Sequence, residues 1–492
     1  MERFLITMIA ALLCGFDICR AQLPARDVPT DSIADSDMRR GARRFFPAAL
    51  TVAGLNAGVW AFDRYVQKGD FAYISSRTVR DNFRHGFIWD NDKLGTNMFL
   101  HPYHGNLYYN SARSYGYNFW QSGLFAFGGS AMWELFMECE YPSTNDIIAT
   151  PIGGMALGEV AFRASDVLVD DRLVGGARFG REACIFILSP MRGITRIVNG
   201  DAWRHRPVSG RTFPIPDVKI EFSAGVRSLE FEDEIFDKGI GFTSAAHIEY
   251  GDRFEESCTR PYDYFTVMAN INVQASQPLL GRLNIMGRLL SHATEYSNRR
   301  YLSVGMYQHF DYYDSDTISD VSARTPYKLA VPASLGCGLI YRDDPSRSWT
   351  FDAWLHANAI LLGGVLSDYY RVDERNYNLA NGFSLKFGVC FELWRRRLRL
   401  AWNNEYYRMF TWKGYPSDID WSDFDRRTLD AQGDRSVAMF NVSELRADLH
   451  LWRNLYLTAE FAHYLRSTHY RDFPHVRSST TSTSLSLTCR LR

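Results

Sequence analysis

At 492 residues the chain is longer than one ordinary soluble domain, so at least two structural units are expected. Lys+Arg 55 against Asp+Glu 56 leaves a formal net charge of -1, so nothing in the charge points to a nucleic-acid groove or an acidic tail. Aromatic residues make up 15%, with 27 Tyr and 12 Trp, a composition that suits a surface meeting lipid headgroups.

The chain opens with a weakly charged start at Arg3, an apolar stretch from Phe4 to Phe16, and a small residue, Ala21, before Gln22. Residues 1–21 read as a signal peptide, too short in its apolar core to span a bilayer. The residues ahead of Cys14 and Cys19 lack the small residue of a bacterial lipobox, so any membrane attachment is expected from elsewhere in the chain. Residues 22–42 form a polar linker. Beyond the leader six cysteines remain, Cys139, Cys184, Cys258, Cys337, Cys390 and Cys489, far apart and without a CxxC pair. They resemble neither a zinc site nor a disulfide framework.

From 43 to 216 the period is helical. Apolar segments are predicted at Arg43 to Gln67, Gly116 to Glu138, Asp146 to Asp170 and Arg181 to Asn199. Pro47 and Asn56 interrupt the first, and Glu134 and Glu138 lie on the second, so they are expected to pack on one another rather than span. This helical unit is a candidate barrel plug. Gly123, Gly128, Gly129, Gly154 and Gly158 offer flat faces for close approach.

From 217 to 492 the period changes to two. Val218, Ile220, Phe222, Ala224 and Val226 alternate with Lys219, Glu221, Ser223, Gly225 and Arg227. The same pattern recurs over Ser384 to Leu393, Glu444 to Leu451 and Ser484 to Arg492. Strands of about 9 to 15 residues exceed the usual globular length of roughly 5 or 6. Tyr250, Tyr262, Tyr264, Tyr312, Tyr313, Trp394, Tyr406, Tyr407 and Trp452 are expected at interfacial girdles. Brief connections at Asp343 to Arg347, Trp394 to Arg396 and Trp452 to Asn454 alternate with long ones near Asp314 to Thr325, Asp368 to Asn378, Thr411 to Arg435 and Ser467 to Ser478. The predicted fold is α+β: an N-terminal helical unit followed by an antiparallel transmembrane β-barrel of about twelve strands, apolar outside and charged within.

The densest polar signature lies in 89–163. It runs through Trp89-Asp90-Asn91-Asp92, His101-Pro102-Tyr103-His104-Gly105, Tyr108-Tyr109, Ala112-Arg113, Trp133-Glu134, Glu138, Pro142-Ser143-Thr144-Asn145-Asp146, Gly153-Gly154 and Gly158-Glu159. With these pieces in this order the sequence resembles an uncharacterised family of Bacteroidota-type outer membranes, domain of unknown function 3943. The resemblance covers about a fifth of the chain and implies an envelope class without an activity.

Chemically, His101, His104 and Glu138 are the candidate catalytic groups, and Glu134 with Glu138 sit one helical turn apart. Tyr109, Arg113, Glu134, Asn145, Asp146 and Glu159 are candidates for a ligand site or a buried hydrogen-bond network. In that network Arg113 pairs with Glu134 or Glu138, and Asn145 or Asp146 caps the next helix. No cofactor is required, although His101, His104, Glu138, Asp146 and Glu159 include divalent-metal ligand types. HPYH is not the helical HExxH pattern, and Pro102 favours a turn there. Gly129-Ser130-Ala131 lacks the full GxSxG elbow, which disfavours serine hydrolysis.

The expected role is an outer-membrane barrel with a plug-like helical unit serving envelope structure or restricted transport. The alternative is an envelope enzyme acting on lipid or glycolipid. Expected partners are outer-membrane lipid and the barrel-assembly machinery, with no nucleic acid.

Overall fold

The computed structural model describes residues 43–231, 240–273, 278–297, 299–315, 325–343, 348–373, 375–415, 419 and 428–491. The signal peptide and polar linker, 1–42, lie outside the described residues. The chain divides into two compact units, one made of the residues up to Phe87 with Leu100–Pro216, the other of Ile88–Phe99 with Asp217–Arg492.

The first unit is helical. Helix α1 spans Phe45–Phe62 and continues as a π-turn to Gln67, where Lys68 at φ 57 ends it. Helix α2, Ser76–His85, starts on a capping box between Ser75 and Thr78 and stops at Gly86, φ 81. Helix α3 is His101–Arg113. Helix α4, Phe119–Phe136, starts on a second capping box, Asn118 with Gln121, and α5 is Asp146–Leu168. The segment expected as one helix to Asn199 is two, α6 at Gly175–Leu188 and α7 at Pro190–Val198. Pro190 cannot donate into a preceding helix, so it begins a new one. The turn expected at His101-Pro102 is instead the first turn of α3. The π-helical segment Thr96–Leu100 runs directly into α3, and Pro102 follows that irregular turn, where the regular hydrogen-bond ladder is already interrupted.

This unit places polar groups inward and large apolar ones outward. Asn56, Asn145, Glu159, Ser165 and Asp171 are completely buried, while Phe46, Leu50, Leu124 and Phe179 are 70% or more exposed. Asn56, which counted against a spanning helix, points inward, where its Nδ2 donates to the Gly129 carbonyl at 3.0 Å. Among the described residues two helices, Phe45–Gln67 and Asp146–Leu168, are long and apolar enough to cross a membrane by length and composition. Close packing uses the glycines. A Cβ on Gly105 would stand 1.7 Å from the Thr150 carbonyl oxygen, and one on Gly154 would stand 2.4 Å from the carbonyl carbon of Gly105. Gly129 and Gly158 receive the rings of Tyr108 and Tyr109, whereas Gly128 meets nothing.

The second unit is a closed up-and-down barrel of twelve antiparallel strands. They are β1 (Val218–Phe231), β2 (Ile240–Tyr250), β3 (Phe265–Val273), β4 (Leu280–Ser297), β5 (Arg300–Asp314) and β6 (Lys328–Arg342). They continue as β7 (Thr350–Leu366), β8 (Tyr377–Leu393), β9 (Leu398–Thr411), β10 (Ser436–Trp452), β11 (Leu455–Tyr470) and β12 (Val476–Leu491). Each strand pairs with its sequence neighbours, and β1 closes on β12 from Ile220↔Leu491 to Phe231↔Thr480. Closure leaves no unpaired edge. The chain enters β1 and leaves β12 at the same end, which carries the brief β9–β8 and β10–β11 turns. The β2–β3 connection at that end is longer and adds a two-residue strand, Ser257–Cys258, beside β4. The long connections gather at the opposite, far end.

Alternation holds as expected in the lower wall. Leu385, Leu485 and Leu487 are half-exposed on the outside, while Ser384, Lys386 and Thr488 are buried inside. Among the described residues two layers of side chains cross the interior. One layer is ionic: Arg282 bonds Glu405 at 2.8 Å and Glu444 at 2.6 Å, Lys386 bonds Asp311 at 2.5 Å, and Arg399, Arg446 and Arg490 all reach Glu221 at 3.0 Å. The cavity left among Glu221, His247, Arg282, Glu444, Arg446 and Glu460 is about 10 Å³, at the limit for a single water. Toward the far end a second layer packs Tyr313, Tyr327, Tyr407, Phe440 and Tyr464 with Leu329, Val331 and Ile360. This layer corrects part of the expected girdle. Trp394 and Trp452 stand exposed at strand ends as girdle residues should, but Tyr250, Tyr262, Tyr264, Tyr312, Tyr313 and Tyr407 are buried. Two of their hydroxyls find internal acceptors, Tyr262 donating to Gln308 and Tyr407 to Glu405, whereas the Tyr313 hydroxyl is buried without a hydrogen-bond partner.

Ile88–Phe99 is packed on the barrel at its far end. Asn97 donates to the Tyr377 hydroxyl at 2.9 Å, Tyr370 donates to Asn91 at 2.8 Å, and Arg375 donates to the Asp90 carbonyl. Leu94 stands against Gly364 and Phe99 against Tyr312. The neighbours Gly363 and Tyr313 face the interior side chains Met409 and Phe440, so by alternation this segment lies on the outer face of the wall.

Candidate functional site

The predicted site residues lie on α3, α4 and α5 and in the loop between the last two. Glu138 falls past the end of α4 at Phe136, so it is not one helical turn from Glu134 as expected, and α3 and α5 pack through Gly105 and Gly154. The site residues form separate groups. In the first, His101 of α3, Glu134 of α4 and Asp146 of α5 offer ligand atoms that all lie within 4.8 Å of one another. His101 Nε2 is 3.8 Å from Asp146 Oδ2, and both carboxylate side chains are buried. The loop that turns α4 into α5 orients them. The Ser143 N–H donates to Glu134 Oε2 at 2.8 Å, Asn145 Nδ2 donates to Asp146 Oδ1 at 3.0 Å, and Ser130 donates to the Asp146 carbonyl at 3.3 Å. Neither Asn145 nor Asp146 caps α5. Ser143 does, accepting the Asp146 N–H at 3.2 Å.

His104 lies one turn beyond His101 on the same side of α3. It stacks on Tyr108 and meets the edge of Trp133. Burial, with His101 nearby, pushes its imidazole down to about 3, so it is neutral. Its Nε2 is buried without a hydrogen-bond partner. Burial likewise pushes the Tyr103 phenol up to about 12. Glu138 accepts the Trp133 indole N–H, while its backbone carbonyl accepts Asn82 at 3.1 Å.

The second group surrounds Glu159, thirteen residues after Asp146 and so about 20 Å further along a straight helix. It therefore does not converge with His101. Arg113 binds Glu159 in a fork, Nε to Oε2 at 2.8 Å and Nη2 to Oε1 at 2.9 Å. Arg163 adds 2.9 Å, and the Tyr109 hydroxyl adds 2.6 Å. Arg113 thus pairs with Glu159 rather than with Glu134 or Glu138, because the glycines bring α3 and α5 together at that level.

A third group lies beyond the signature. Asp171 is completely buried and is bound by Arg196 at 2.7 Å, Arg206 at 2.6 Å and Arg178 at 3.3 Å, while Asp166 holds Arg192 and the Thr212 and Phe213 N–H groups. Sequence reading stopped at Arg163. The run of arginines at Arg178, Arg181, Arg192 and Arg196 was the available signal. In the barrel unit, Glu255, Cys258 and Asp263 form a further potential ligand group, with Glu255 exposed and paired to Arg288. None of the six described cysteines forms a disulfide.

Among solved structures the chain is similar to the NanC porin, at 9% identity over 55% of this chain and 98% of that one, TM-score 0.27. It is also similar to the outer membrane channel DcaP of Acinetobacter baumannii, at 7% identity over 56% and 97%, TM-score 0.24. OmpT of Vibrio cholerae matches at 8% identity over 56% and 100%, TM-score 0.22. No curated protein matches the sequence. Family comparison agrees with the ordered signature that Trp89 opens: residues 86–191 match the model of Domain of unknown function (DUF3943).

Proposed function

We propose that this chain is a bacterial outer-membrane protein whose barrel acts as a membrane mount rather than a conduit, in an envelope-structural role. The observation that carries this reading lies in the lumen. An ionic layer and an aromatic layer both cross it, and the space left between Arg282 and Glu221 is about 10 Å³. The outward apolar faces of α1, α4 and α6 support lipid contact, since an apolar exterior over a polar interior is the reverse of a water-soluble bundle. The barrel-assembly machinery is the expected insertion partner.

Reconstitution into planar bilayers tests the mount. No ohmic steps are expected, and a steady, reproducible conductance would instead support restricted transport. A second reading, modification of envelope lipid or glycolipid, is favoured by the grouping of His101, Glu134 and Asp146. It is tested by comparing envelope lipids, by mass spectrometry, in a deletion strain complemented with wild type or His101→Ala.

A further inference from the structure

We propose that His101, Glu134 and Asp146 bind a divalent transition-metal ion of the zinc class. Their ligand atoms lie within 4.8 Å of one another. A tetrahedral ion holding nitrogen and oxygen at about 2.0–2.2 Å sets ligand separations of roughly 3.3–3.6 Å, so small side-chain rotations close the set. Three helices supply one ligand each, which fixes the site by tertiary packing rather than by a flexible loop.

Two carboxylates this close and this buried repel one another, and a cation between them removes the repulsion. Each is also oriented from behind, Glu134 by the Ser143 N–H and Asp146 by Asn145. That is the arrangement of a metal site's supporting groups. A second observation stands beside them. The Nε2 of His104, one turn along α3, and the Oγ1 of Thr150, one turn along α5, are buried polar atoms without a hydrogen-bond partner. Native interiors rarely leave such atoms unpaired, and an ion with its bound water supplies partners. One imidazole and two carboxylates form the mixed nitrogen and oxygen set that suits zinc, manganese or iron. Three protein ligands leave a fourth position open, as in sites that activate a bound water rather than those that only brace a fold.

The test uses the full mature chain, folded in detergent, stripped with a chelator and titrated with cobalt(II), then displaced with zinc(II). One saturable equivalent is expected, with visible absorption bands of tetrahedral cobalt that zinc abolishes. His101→Gln and Asp146→Asn should each weaken binding by more than about tenfold. Glu255→Gln and Cys258→Ser, in the barrel group, should leave it unchanged. The near-ultraviolet circular dichroism of each variant shows that the fold is kept, and His101→Gln, the least buried of the three, serves where Asp146→Asn does not fold. Absence of a saturable signal in the wild type overturns the proposal. So does undiminished binding in His101→Gln, or a loss confined to the Glu255 and Cys258 variants.

Discussion

Arg282 on β4 and Glu444 on β10 stand six strands apart whichever way the ring is counted, yet they bond at 2.6 Å. The same guanidinium reaches Glu405 on β9. One side chain therefore ties opposite walls of the barrel together. Removing it in Arg282→Ala takes the bonded guanidinium from buried Glu444 and leaves Glu405 with Lys386 at 3.5 Å, a loss of about 3–5 kcal/mol where one partner of a buried pair is deleted. The expected result is a clearly lower unfolding midpoint in detergent, read by the heat-shifted mobility of the folded barrel. Arg282→Met together with Glu444→Leu should recover part of the loss. An unchanged midpoint in Arg282→Ala would show that the cross-lumen tie carries no stability.

Gly105 and Gly154 are the point where α3 and α5 touch backbone to backbone. A methyl at either position has nowhere to go, so Gly105→Ala should destabilise the helical unit by at least about 1–3 kcal/mol. Gly128 is the internal control. It lies in the same helical region with open space around its Cβ position, and Gly128→Ala should stabilise by up to about 1 kcal/mol through helix propensity. Denaturant titrations followed at 222 nm separate the two, and equal effects would mean that the close approach is not a constraint.

Much of this architecture was legible because the strand period is two over long runs, although bulges interrupt it, as between Ile360 and Gly363. Leu385 outside and Lys386 inside follow from alternation alone. The far half of the lumen was not legible, because Ala438, Phe440 and Val442 point inward there without a charge, and the outward row of Val437, Met439 and Asn441 beside them is uncharged too. Alternation assigns two faces, but it does not say which is buried when neither is charged. In the helical unit the signature residues were found, but their grouping was not. Glu159 and Asp146 both looked like partners of His101 until the rise along α5 separated them, and Arg113 chose its carboxylate through the glycine contact. Helix α3 was missed because a proline after a histidine reads equally as a turn or as a first helical turn.

Asp368, in the connection between β7 and β8, makes two bonds with Arg466, at 2.6 and 2.7 Å, and accepts the Tyr470 hydroxyl at 2.7 Å. Burial pushes its carboxyl up, but Arg466 and Tyr470 outweigh that and hold it below the usual carboxylate range. A depressed folded value means that the stabilisation is complete above the unfolded value of about 3.9 and is lost as pH falls through the folded one. Hydrogen exchange in residues 366–377, corrected for the intrinsic rate, should therefore accelerate as pH drops below about 4. In Asp368→Asn it should be faster already at neutral pH and lack this acid-induced rise. An acid response that survives in the variant would assign it to other groups.

The outward faces of the helical unit make the last prediction. Leu50 on α1, Leu124 on α4 and Phe179 on α6 are each at least 70% exposed, and a water-soluble bundle would have little reason to show three such side chains on three helices. If these faces meet hydrocarbon, nitroxide labels placed one at a time at Leu50→Cys, Leu124→Cys and Phe179→Cys, in a background without other cysteines and in lipid bilayers, should collide more often with oxygen than with a water-soluble nickel complex. A label at Arg77→Cys, on the charged and exposed start of α2, should show the reverse preference. Dominant nickel collisions at all four positions would put the helical unit in water. The inverted distribution of Asn56, Glu159 and Asp171 would then be the interior of a soluble assembly whose apolar faces are covered by protein instead of lipid.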